Sequence, residues 1–327
     1  MRNAIINVQN LSKTYTVYRR PPGIRAGLRS LFKRDVVKVR AVSNISFNIN
    51  RGEFVGFVGP NGAGKTTTLK MLTGILHPTL GQATVLGYVP WERRRAMQQK
   101  IAIVMGQKNQ LMWDLPVMDS LELNKAIYNL SRESFSASLK ELTGLLKLAD
   151  LLNTPVRKLS LGERMKAELM AALLHRPEVV FLDEPTIGLD VLAQQQLREF
   201  LKRINKERDT TILLTSHNMS DIKELCKRVI VIDRGQLGYD GEFLKLIKKY
   251  APHKVLRVVF DAPPQLASLA KLAPVRTYEN NVATLTVPRS RTTQVAREIL
   301  DNYPVSDIAI EEEPIEAVVR QIFSQRK

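Results

Sequence analysis

The sequence predicts an α/β protein with a mixed, mostly parallel core sheet, followed by a small α+β domain. Short apolar runs alternate with helical segments through residues 1–250, as strands and crossover helices do in a parallel sheet. One of these runs leads into a glycine-rich loop at 59–67. Residues 253–327 follow a different order of strands and helices. We therefore expect two domains, at 1–250 and 253–327.

Two strands with alternating apolar and polar residues are predicted near the amino end, at 6–9 and 42–47. Between them lies a basic insertion, at about 18–40. Its apolar residues fall at helical spacing, at Ile24, Leu28, Leu31 and Phe32. This short amphipathic helix is either a solvated insertion that packs on its own domain or a foot that contacts anionic lipid headgroups or a membrane partner.

The loop at 59–67 matches the G-x-x-x-x-G-K-[ST] pattern and lies between an apolar strand and a helix, as a phosphate-binding loop requires. Its glycines allow backbone N–H groups to surround phosphates at the helix N-terminus. Lys65 is expected to reach the β- and γ-phosphates, and Thr66 to ligate Mg²⁺. The predicted nucleotide-binding residues of the loop are Gly59, Pro60, Asn61, Gly62, Ala63, Gly64, Lys65, Thr66 and Thr67.

Later apolar runs predict further strands, at 83–87, 101–105, 179–182, 211–215 and 229–232. Residues 117–175 are rich in helix formers, which predicts an inserted helical subdomain. Because the carboxyl ends of parallel strands meet at one edge of a sheet, we expect the chemistry at that edge.

Two acidic residues, Asp183 and Glu184, follow the buried run at 179–182. Asp183 is placed to hold Mg²⁺, directly or through water. Glu184 is placed to accept a proton from a water that attacks the γ-phosphate. Downstream of a phosphate-binding loop, this pair indicates nucleotide hydrolysis.

Composition favours a globular protein in the cytosol. Hydrophobic residues make up 44% and charged residues 25% of the chain, and no apolar run is long enough to cross a bilayer. The amino end lacks the apolar core of a signal peptide, and the single cysteine, Cys226, fits a reducing compartment. The net charge of +17 is concentrated in residues 1–250 and suits nucleotide, nucleic acid or an anionic membrane surface.

The carboxy-terminal residues, 253–327, predict the order strand, helix, strand, strand, helix, strand, followed by one more helix. This βαββαβ order suggests a ferredoxin-like domain. The segment has no phosphate-binding loop, no cluster of metal-ligand residue types and no evident nucleophile.

The order of these motifs resembles that of the ATP-binding cassette (ABC) family of P-loop NTPases, across nearly all of residues 4–245. The matching segments are the phosphate loop at 59–67, the Q-loop at Gln107, the signature at 159–163, the second phosphate motif at 181–186, the D-loop at 188–190 and the switch histidine at His217. The chain looks most similar to ATPase subunits of ABC-2 type exporters whose permease is a separate chain. Segments 106–108 and 112–116 look like a distinct branch of that group.

The resemblance implies roles within one copy of the chain. Tyr15 would stack on adenine, with Tyr18 as the alternative. Gln107 would sense Mg²⁺ and the attacking water and link the site to the permease, and His217 would contact the γ-phosphate and orient the water. Residues around 90–120 would form the groove that receives the permease.

The resemblance also implies that two copies hold two ATP molecules between them, head to tail. Ser160, Gly162 and Glu163 would act in trans on nucleotide held by the other copy, and Asp190 would line the interface. The family's usual signature is Leu-Ser-Gly-Gly-Gln, whereas this chain has Leu161 and Glu163 at the third and fifth positions. We expect this departure to affect the geometry of the signature loop more than hydrolysis itself.

Two functions are therefore compared: an ATPase at the cytoplasmic side of the membrane that powers export, and a soluble cassette ATPase that acts on nucleic acid or ribosomes. The spacing of the two phosphate motifs leaves no room for the long coiled coil of repair cassettes, and the chain has one cassette where ribosomal factors have two. These features favour export and argue against nucleic acid as a partner. The carboxy-terminal domain either supports the ATPase dimer or binds a regulatory ligand, and the exported substrate is not encoded in this chain.

Overall fold

A computed structural model describes residues 4–19, 35–106, 109–216, 218–313 and 315–324. The chain divides into two compact units, Met1–Asp240 and Gly241–Lys327. The division falls before a helix at Phe243–Tyr250 that the sequence assigned to the first domain. This helix contacts the last helix of the chain, which explains its place in the second unit. The predicted helix at 24–32 lies outside the described residues.

The first unit contains nine strands, the last of which ends two residues beyond the division, and seven helices in the part of the chain that the structure describes. Its strands are β1 (Ala4–Arg19), β2 (Asp35–Asn50), β3 (Phe54–Val58), β4 (Leu80–Val85), β5 (Ile101–Met105), β6 (Val179–Asp183), β7 (Thr211–Ser216), β8 (Arg228–Asp233) and β9 (Gln236–Glu242). Its helices are α1 (Lys65–Leu72), α2 (Arg95–Gln98), α3 (Val117–Ile127), α4 (Arg132–Leu146), α5 (Leu161–Leu173), α6 (Val191–Arg208) and α7 (Met219–Leu225). Short 3₁₀ turns occur at Pro90–Glu92, Ala149–Leu151 and Val156–Lys158.

The central sheet has six strands in the order β5-β6-β7-β3-β8-β9. Adjacent strands from β5 to β8 pair in parallel, which confirms the mixed, mostly parallel sheet expected from the sequence. Their apolar side chains are buried on both faces, as is usual when helices cover a parallel sheet. In register, Asp183 lies beside Met105 and Thr215, and Val58 lies beside Ser216. The polar groups that follow these strands therefore emerge at one edge.

A second, antiparallel sheet has the order β2-β1-β4. The β1–β2 pairing extends to Arg19 and Asp35, so both ends of the predicted basic insertion continue the two strands. The register shifts between Lys13, which pairs with Val42, and Thr14, which pairs with Arg40. Ala41 is therefore the extra residue of a β-bulge, a feature that often bends a strand beside a functional site.

The main core lies where the two sheets meet α1. Phe57 and Phe181 from the central sheet, Ile6 and Ile49 from the antiparallel sheet, and Leu69 from α1 are all completely buried. Burial of each such side chain stabilises the fold by about 1.5–3 kcal/mol. This packing fixes α1, and with it the loop that precedes it, against the end of β3.

Helices α3, α4 and α5 occupy the region predicted as a helical subdomain. The first turn of α4 is capped by Ser131, whose side chain accepts a hydrogen bond from the Ser134 N–H. Phe135, Leu142 and Leu146 of α4 are buried, at the spacing of one helical face. Arg176, just after α5, donates to Glu141 at 2.7 Å and so joins α4 to the end of the signature helix.

The second unit contains α8 (Phe243–Tyr250), β10 (His253–Phe260), α9 (Leu266–Leu272), β11 (Val275–Glu279), β12 (Val282–Pro288), a 3₁₀ turn (Arg289–Arg291), α10 (Thr292–Asn302), β13 (Val305–Glu312) and α11 (Ile315–Ser324). Its four strands pair antiparallel in the order β11-β12-β10-β13. From β10 to β13 the elements follow the βαββαβ order of a ferredoxin-like domain. The completely buried core of this unit includes Leu256, Val258, Leu285 and Ile299.

Among the residues described in both units, no helix is long and apolar enough to span a bilayer.

Candidate functional site

The glycine-rich loop turns tightly between β3 and α1. A Cβ at Gly59 would lie 2.0 Å from the Ile232 carbonyl oxygen, and a Cβ at Gly64 would lie 2.5 Å from the Ala41 carbonyl oxygen. Gly64 also has φ 107, in the left-handed region, and is the N-cap of α1. Only glycine fits at these two positions, and the bulge at Ala41 is part of the reason.

Lys65, the first residue of α1, is 5% exposed and turns back over the loop. Its Nζ donates to the carbonyl oxygens of Gly59, at 2.7 Å, and Pro60, at 3.1 Å. It also lies 3.4 Å from Oε1 of Glu184. The ammonium group is therefore held at the mouth of the loop, beside the predicted general base.

Asp183 receives two hydroxyl hydrogen bonds at the end of β6. Thr66 Oγ1 donates to Asp183 Oδ2 at 2.7 Å, and Thr215 Oγ1 donates to Asp183 Oδ1 at 2.6 Å. A carboxylate beside a hydroxyl, both oxygen donors, suits Mg²⁺, which binds through one or two carboxylates together with phosphates and water. No group of three or more His, Cys, Asp or Glu able to hold a metal occurs in the described ranges. The donor set therefore fits a magnesium ion shared with phosphate.

Glu184 adopts an uncommon backbone conformation, with φ 53. Its N–H donates to both the carbonyl oxygen and the hydroxyl of Thr215, each at 3.1 Å. Left-handed backbone at a residue other than glycine costs about 1–3 kcal/mol and recurs at active sites, where surrounding contacts maintain it. The hydrogen bonds to Thr215 fix the Glu184 backbone, and the Glu184 carboxylate lies 3.4 Å from Lys65 Nζ.

These residues surround one cleft of about 340 Å³. Its lining consists of Ala41, Asn61, Gly62, Ala63, Gly64, Lys65, Thr66, Thr67, Lys70, Met105, Gly106, Asp183 and Glu184. The phosphate loop and both acidic residues predicted from the sequence thus share the same concavity. Gly106, which precedes Gln107, donates its N–H to the Asp183 carbonyl oxygen at 3.0 Å.

The predicted adenine contact, the Q-loop glutamine and the switch histidine are not part of this lining. Tyr15 is 36% exposed on β1, with Lys13 Nζ 5.4 Å from the centre of its ring, and it does not line the cleft among the described residues. Gln107 and His217 lie outside the described residues, although their neighbours Gly106 and Ser216 are placed at the ends of β5 and β7. The structure likewise does not describe the side chain of Tyr18, the alternative adenine contact.

The signature residues form a local cap on α5. Ser160 is the N-cap, and its hydroxyl accepts from the Glu163 N–H at 3.3 Å. Glu163 in turn accepts from the N–H and the hydroxyl of Ser160, both at 2.9 Å. This reciprocal capping box gives hydrogen-bond acceptors to two backbone N–H groups at the first turn of the helix, those of Ser160 and Glu163. Glu163 therefore has a structural partner, which the sequence comparison with the usual signature did not predict.

Leu161 and Gly162 of the signature lie against the D-loop and the start of α6. A Cβ at Gly188 would lie 3.0 Å from Leu161 Cδ2, so the leucine packs on this glycine. Asp190 is exposed and caps α6, accepting from the Ala193 N–H at 2.8 Å. Gly162 faces Ala193, because a Cβ added at Gly162 would lie 3.2 Å from the alanine Cβ. The bulk of Leu161 is thus directed towards its own D-loop.

A groove of about 630 Å³ lies between β5 and the helical part of the unit. Arg95, Ile103, Gln110, Ile127 and Tyr128 are among the residues that line it. Half of the residues that line the groove belong to the segment around 90–120 that the family resemblance assigned to the permease. Its wall combines exposed apolar side chains with polar and basic groups.

Glu168 of α5 ties this groove to the strand end that leads into the cleft. The residue is 3% exposed, and its carboxylate accepts from the Gln110 N–H at 2.9 and 3.1 Å. Burial raises the pKa of Glu168 above its ordinary value, although hydrogen bonds from the Gln110 and Leu111 backbone oppose the rise. The segment after Gln107 is therefore bound to the signature helix.

Sequence reasoning missed Thr215, which joins Asp183 to Glu184. The available signal was a threonine at the end of an otherwise apolar, buried strand. A hydroxyl in that position needs a hydrogen-bond partner, and the ends of the neighbouring strands supply it. The bonds depend on strand order, which the sequence pattern alone did not give.

Both parts of the chain match families of ABC transporter proteins. Residues 42–187 match the ABC transporter family, and residues 252–311 match the family described as EvrA-like ABC transporter, C-terminal domain. The ABC transporter ATP-binding protein NatA of Bacillus subtilis (strain 168) is 35% identical over 64% of this chain and 84% of its own. Nod factor export ATP-binding protein I of Burkholderia pseudomallei (strain 1710b) is 36% identical over 71% of this chain and 75% of its own.

Solved structures resemble the fold. An ATP-binding subunit of an ABC transporter superposes with a TM-score of 0.63 at 24% identity, covering 75% of this chain and 93% of its own. A dimeric post-hydrolysis structure of the ATP-binding cassette MJ0796, bound to ADP and Pi, gives a TM-score of 0.60 at 23% identity, covering 72% and 98%. The family match and the two relatives described above confirm the resemblance drawn from the sequence motifs. The chain belongs to the ABC transporter family, as one of its ATP-binding subunits, which hydrolyse ATP to power transport.

Proposed function

We propose that two copies of this chain bind two molecules of Mg²⁺-ATP between them and power export through a separate membrane permease. The observation that carries the proposal is the cleft in which Lys65, Thr66, Asp183 and Glu184 meet, while the signature residue Ser160 is exposed. One copy then supplies the phosphate loop and the general base, and the other supplies the signature.

In this proposal the loop and Lys65 bind the phosphates, because the residues of the loop and Lys65 line the cleft at the N-terminus of α1. Thr66 and Asp183 would hold Mg²⁺, which neutralises phosphate charge when bound. Glu184 accepts the proton of the attacking water. Gln107 and His217 keep the roles that the family resemblance gave them, and Tyr15 contacts the adenine.

The trans-acting half is formed by Ser160, Gly162 and Glu163, with Asp190 at the interface. Support comes from the exposure of Ser160 and Asp190, and of the apolar Val191 and Leu192, which are 79% and 64% exposed. Apolar side chains so open to solvent next to a functional loop favour a protein partner. MJ0796, of similar fold, forms a dimer with ADP and Pi.

A complementation experiment tests the shared site. Lys65→Ala removes phosphate binding in one copy, and Ser160→Phe blocks the signature of another without filling buried space. Each variant alone is expected to be inactive, whereas a mixture restores hydrolysis at the one site that combines an intact loop with an intact signature. Phosphate release is measured for each variant, for the mixture, and for a mixture of Lys65→Ala with Glu184→Gln as a control. A mixture as inactive as its components would reject the shared site.

The permease contact is placed at the groove beside β5. Ile75 and Ile127 there are 49% and 55% exposed, and Arg95 of α2 also lines the groove. An amphipathic helix with an acidic face suits this wall. The proposed location is the cytoplasmic face of the membrane, with the segment at 18–40 as a further contact to anionic lipid.

Substitution of the groove tests the permease contact. Ile127→Glu is expected to reduce the fraction of the protein that sediments with membranes of its native host, while hydrolysis by the purified protein is unchanged. Leu244→Glu, at a residue 76% exposed in the second unit, is the control and is expected to sediment normally. Normal sedimentation of Ile127→Glu would place the permease elsewhere.

For the second unit we propose support of the dimer, because its described residues form a packed core without a cluster of catalytic groups.

A further inference from the structure

A buried ion pair lies beyond the catalytic cleft, between α6 and α7. Asp221 is completely buried and Arg198 is 7% exposed. Arg198 Nη1 donates to Asp221 Oδ1 at 2.9 Å, and Arg198 Nε lies 3.2 Å from the partly exposed carboxylate of Glu224. Neither Asp221 nor Arg198 lines the cleft or has a role in the mechanism described above.

The second carboxylate oxygen of Asp221 reaches both catalytic segments. Thr186 Oγ1 donates to Asp221 Oδ2 at 2.5 Å, and Ser216 Oγ donates to the same oxygen at 3.3 Å. Thr186 follows Glu184 by two residues, and Ser216 immediately precedes His217. A single carboxylate therefore holds the segment that carries the general base and the segment that carries the switch histidine.

Further contacts tighten both segments. The Ser216 hydroxyl accepts from the Asn218 N–H at 2.9 Å, so it fixes the backbone on both sides of residue 217. Gln194 of α6 donates to the carbonyl oxygens of Leu189, at 3.0 Å, and Thr186, at 3.4 Å. The D-loop is thus attached to the same network through the helix that carries Arg198.

Burial of this pair is difficult to explain by stability alone. Removing two charges from water is costly, and well-packed apolar residues often replace a buried pair without loss of stability. Here both carboxylate oxygens bond to groups that lie at a catalytic segment or on α6. The hydrogen bonds fix the positions of four side chains relative to one another, which an apolar cluster of the same volume does not do. These side chains are Arg198, Asp221, Thr186 and Ser216.

We propose that Asp221, held by Arg198, is a positioning residue for hydrolysis: it sets the orientation of the Glu184 and His217 segments relative to each other. It acts through Thr186 and Ser216 and does not touch ATP. The proposal rests on the proposed role of Glu184 as general base. A displacement of either segment by a fraction of an ångström lowers the rate of the chemical step but leaves phosphate binding by Lys65 in place.

The first test removes one hydroxyl without disturbing the ion pair. Thr186→Val is expected to lower kcat for ATP by about tenfold, with KM changed by less than about twofold, because misplacement affects the chemical step more than binding. Thr211→Val is the matched control, because Thr211 is also buried and its hydroxyl accepts from the Gly52 N–H at 2.9 Å, at the opposite end of β7. Equal kcat values for Thr186→Val and Thr211→Val, at equal thermal stability, would overturn the proposal.

A conservative variant and a charge variant complete the experiment. Thr186→Ser keeps the hydroxyl and is expected to restore kcat to within about twofold of the parent, since the bond to Asp221 is retained. Asp221→Asn keeps the shape but removes the charge, and is expected to lower kcat at least as much as Thr186→Val does while a fluorescent ADP analogue binds with unchanged affinity. Failure of Thr186→Ser to restore activity would attribute the loss to packing and reject the positioning role.

The experiment separates this inference from the proposed function. Glu184→Gln, measured in parallel, reports on the general base itself. If Glu184→Gln hydrolyses ATP at the parent rate, the proposed function fails whatever Thr186→Val does. If Glu184→Gln is inactive and Thr186→Val matches Thr211→Val, only the positioning role of Asp221 fails.

Discussion

The phosphate-binding edge of the sheet and the signature end of α5 are held in place in different ways. At the edge, Asp183 bonds to Thr66 and Thr215, which are 117 and 32 positions away in the chain. At the signature, Ser160 and Glu163 bond to each other, three positions apart, and Ser160 is exposed. The global fold therefore fixes the groups that we propose bind and hydrolyse nucleotide, whereas a local helix cap fixes the signature residue Ser160.

This difference suits the proposed site, which is divided between two copies. The half that performs chemistry needs polar groups whose positions are set in advance, because preorganised groups lower the barrier most. The half that arrives from outside needs an accessible surface and a defined backbone, which a capped helix terminus provides. A local cap keeps its shape when the surrounding surface exchanges water for a partner.

The largest expected effect comes from breaking the edge at Glu184. Glu184→Gln is expected to lower kcat by about 10²–10⁴, because the amide does not accept the proton of the attacking water. Nucleotide affinity is expected to stay near that of the parent, since Lys65 and the loop are unchanged. Phosphate release and equilibrium binding of a fluorescent ATP analogue measure the two quantities.

Glu178→Gln is the control for Glu184→Gln, because Glu178 lies just before β6 and Glu184 just after it. Glu178 forms ion pairs with Arg51 at 2.6 Å and Lys100 at 2.9 Å, at the end of the sheet away from the cleft. Its loss is expected to leave kcat unchanged. Parent-like hydrolysis by Glu184→Gln would remove this residue from the role of general base.

Much of the edge could be predicted from the sequence because its signals are local. The loop at 59–67 has a fixed spacing of glycines and a lysine, and Asp183 and Glu184 directly follow an apolar run. The strand order, the bulge at Ala41 and the bonds of Thr215 depend on long-range pairing and had no such signal. Hydrophobic patterning indicates which residues are buried but does not indicate which strand is adjacent.

At the signature, a local sequence signal was present, but the comparison with the family pattern did not use it. The local pattern Ser160 to Glu163 is a capping-box sequence, yet comparison with the usual motif directed attention to the charge of Glu163 and the bulk of Leu161. The structure places Leu161 against Gly188 and gives Glu163 two hydrogen bonds. Helix-capping chemistry was therefore a better guide to the geometry here than the departure from the family pattern.

A second prediction concerns the anchor at the far end of the signature helix. His175, just after α5, stacks on Tyr128 with 3.8 Å between ring centres and contacts the Ile101 carbonyl oxygen through Nε2 at 3.0 Å. Its Nδ1 is buried without a partner among the described residues. Burial lowers the pKa of His175 from 6.5 to about 4, so the folded protein favours the neutral ring.

The sign of the pH effect follows from the lowered pKa of His175. Below pH 6.5 the unfolded chain binds a proton that the folded chain rejects, so stability is lost as the pH falls from 6.5 towards about 4. The pKa difference corresponds to about 3 kcal/mol. His175→Gln is expected to show a smaller decrease in unfolding free energy between pH 7 and pH 4, measured by urea denaturation. An identical decrease in parent and variant would exclude His175 as the source.

The smallest expected effect breaks the local cap. Glu163→Ala removes the carboxylate that accepts from Ser160, and is expected to cost about 1 kcal/mol of unfolding free energy. Because this end of α5 is held locally, the affinity of the single copy for nucleotide should not change, whereas hydrolysis by the paired copies should fall a few-fold. Glu133→Ala is the matched control, since Glu133 occupies the first turn of α4 beside its N-cap Ser131. A loss of nucleotide affinity in Glu163→Ala but not in Glu133→Ala would mean that the signature and the phosphate loop are coupled within one copy, and the contrast between the two regions would have to be abandoned.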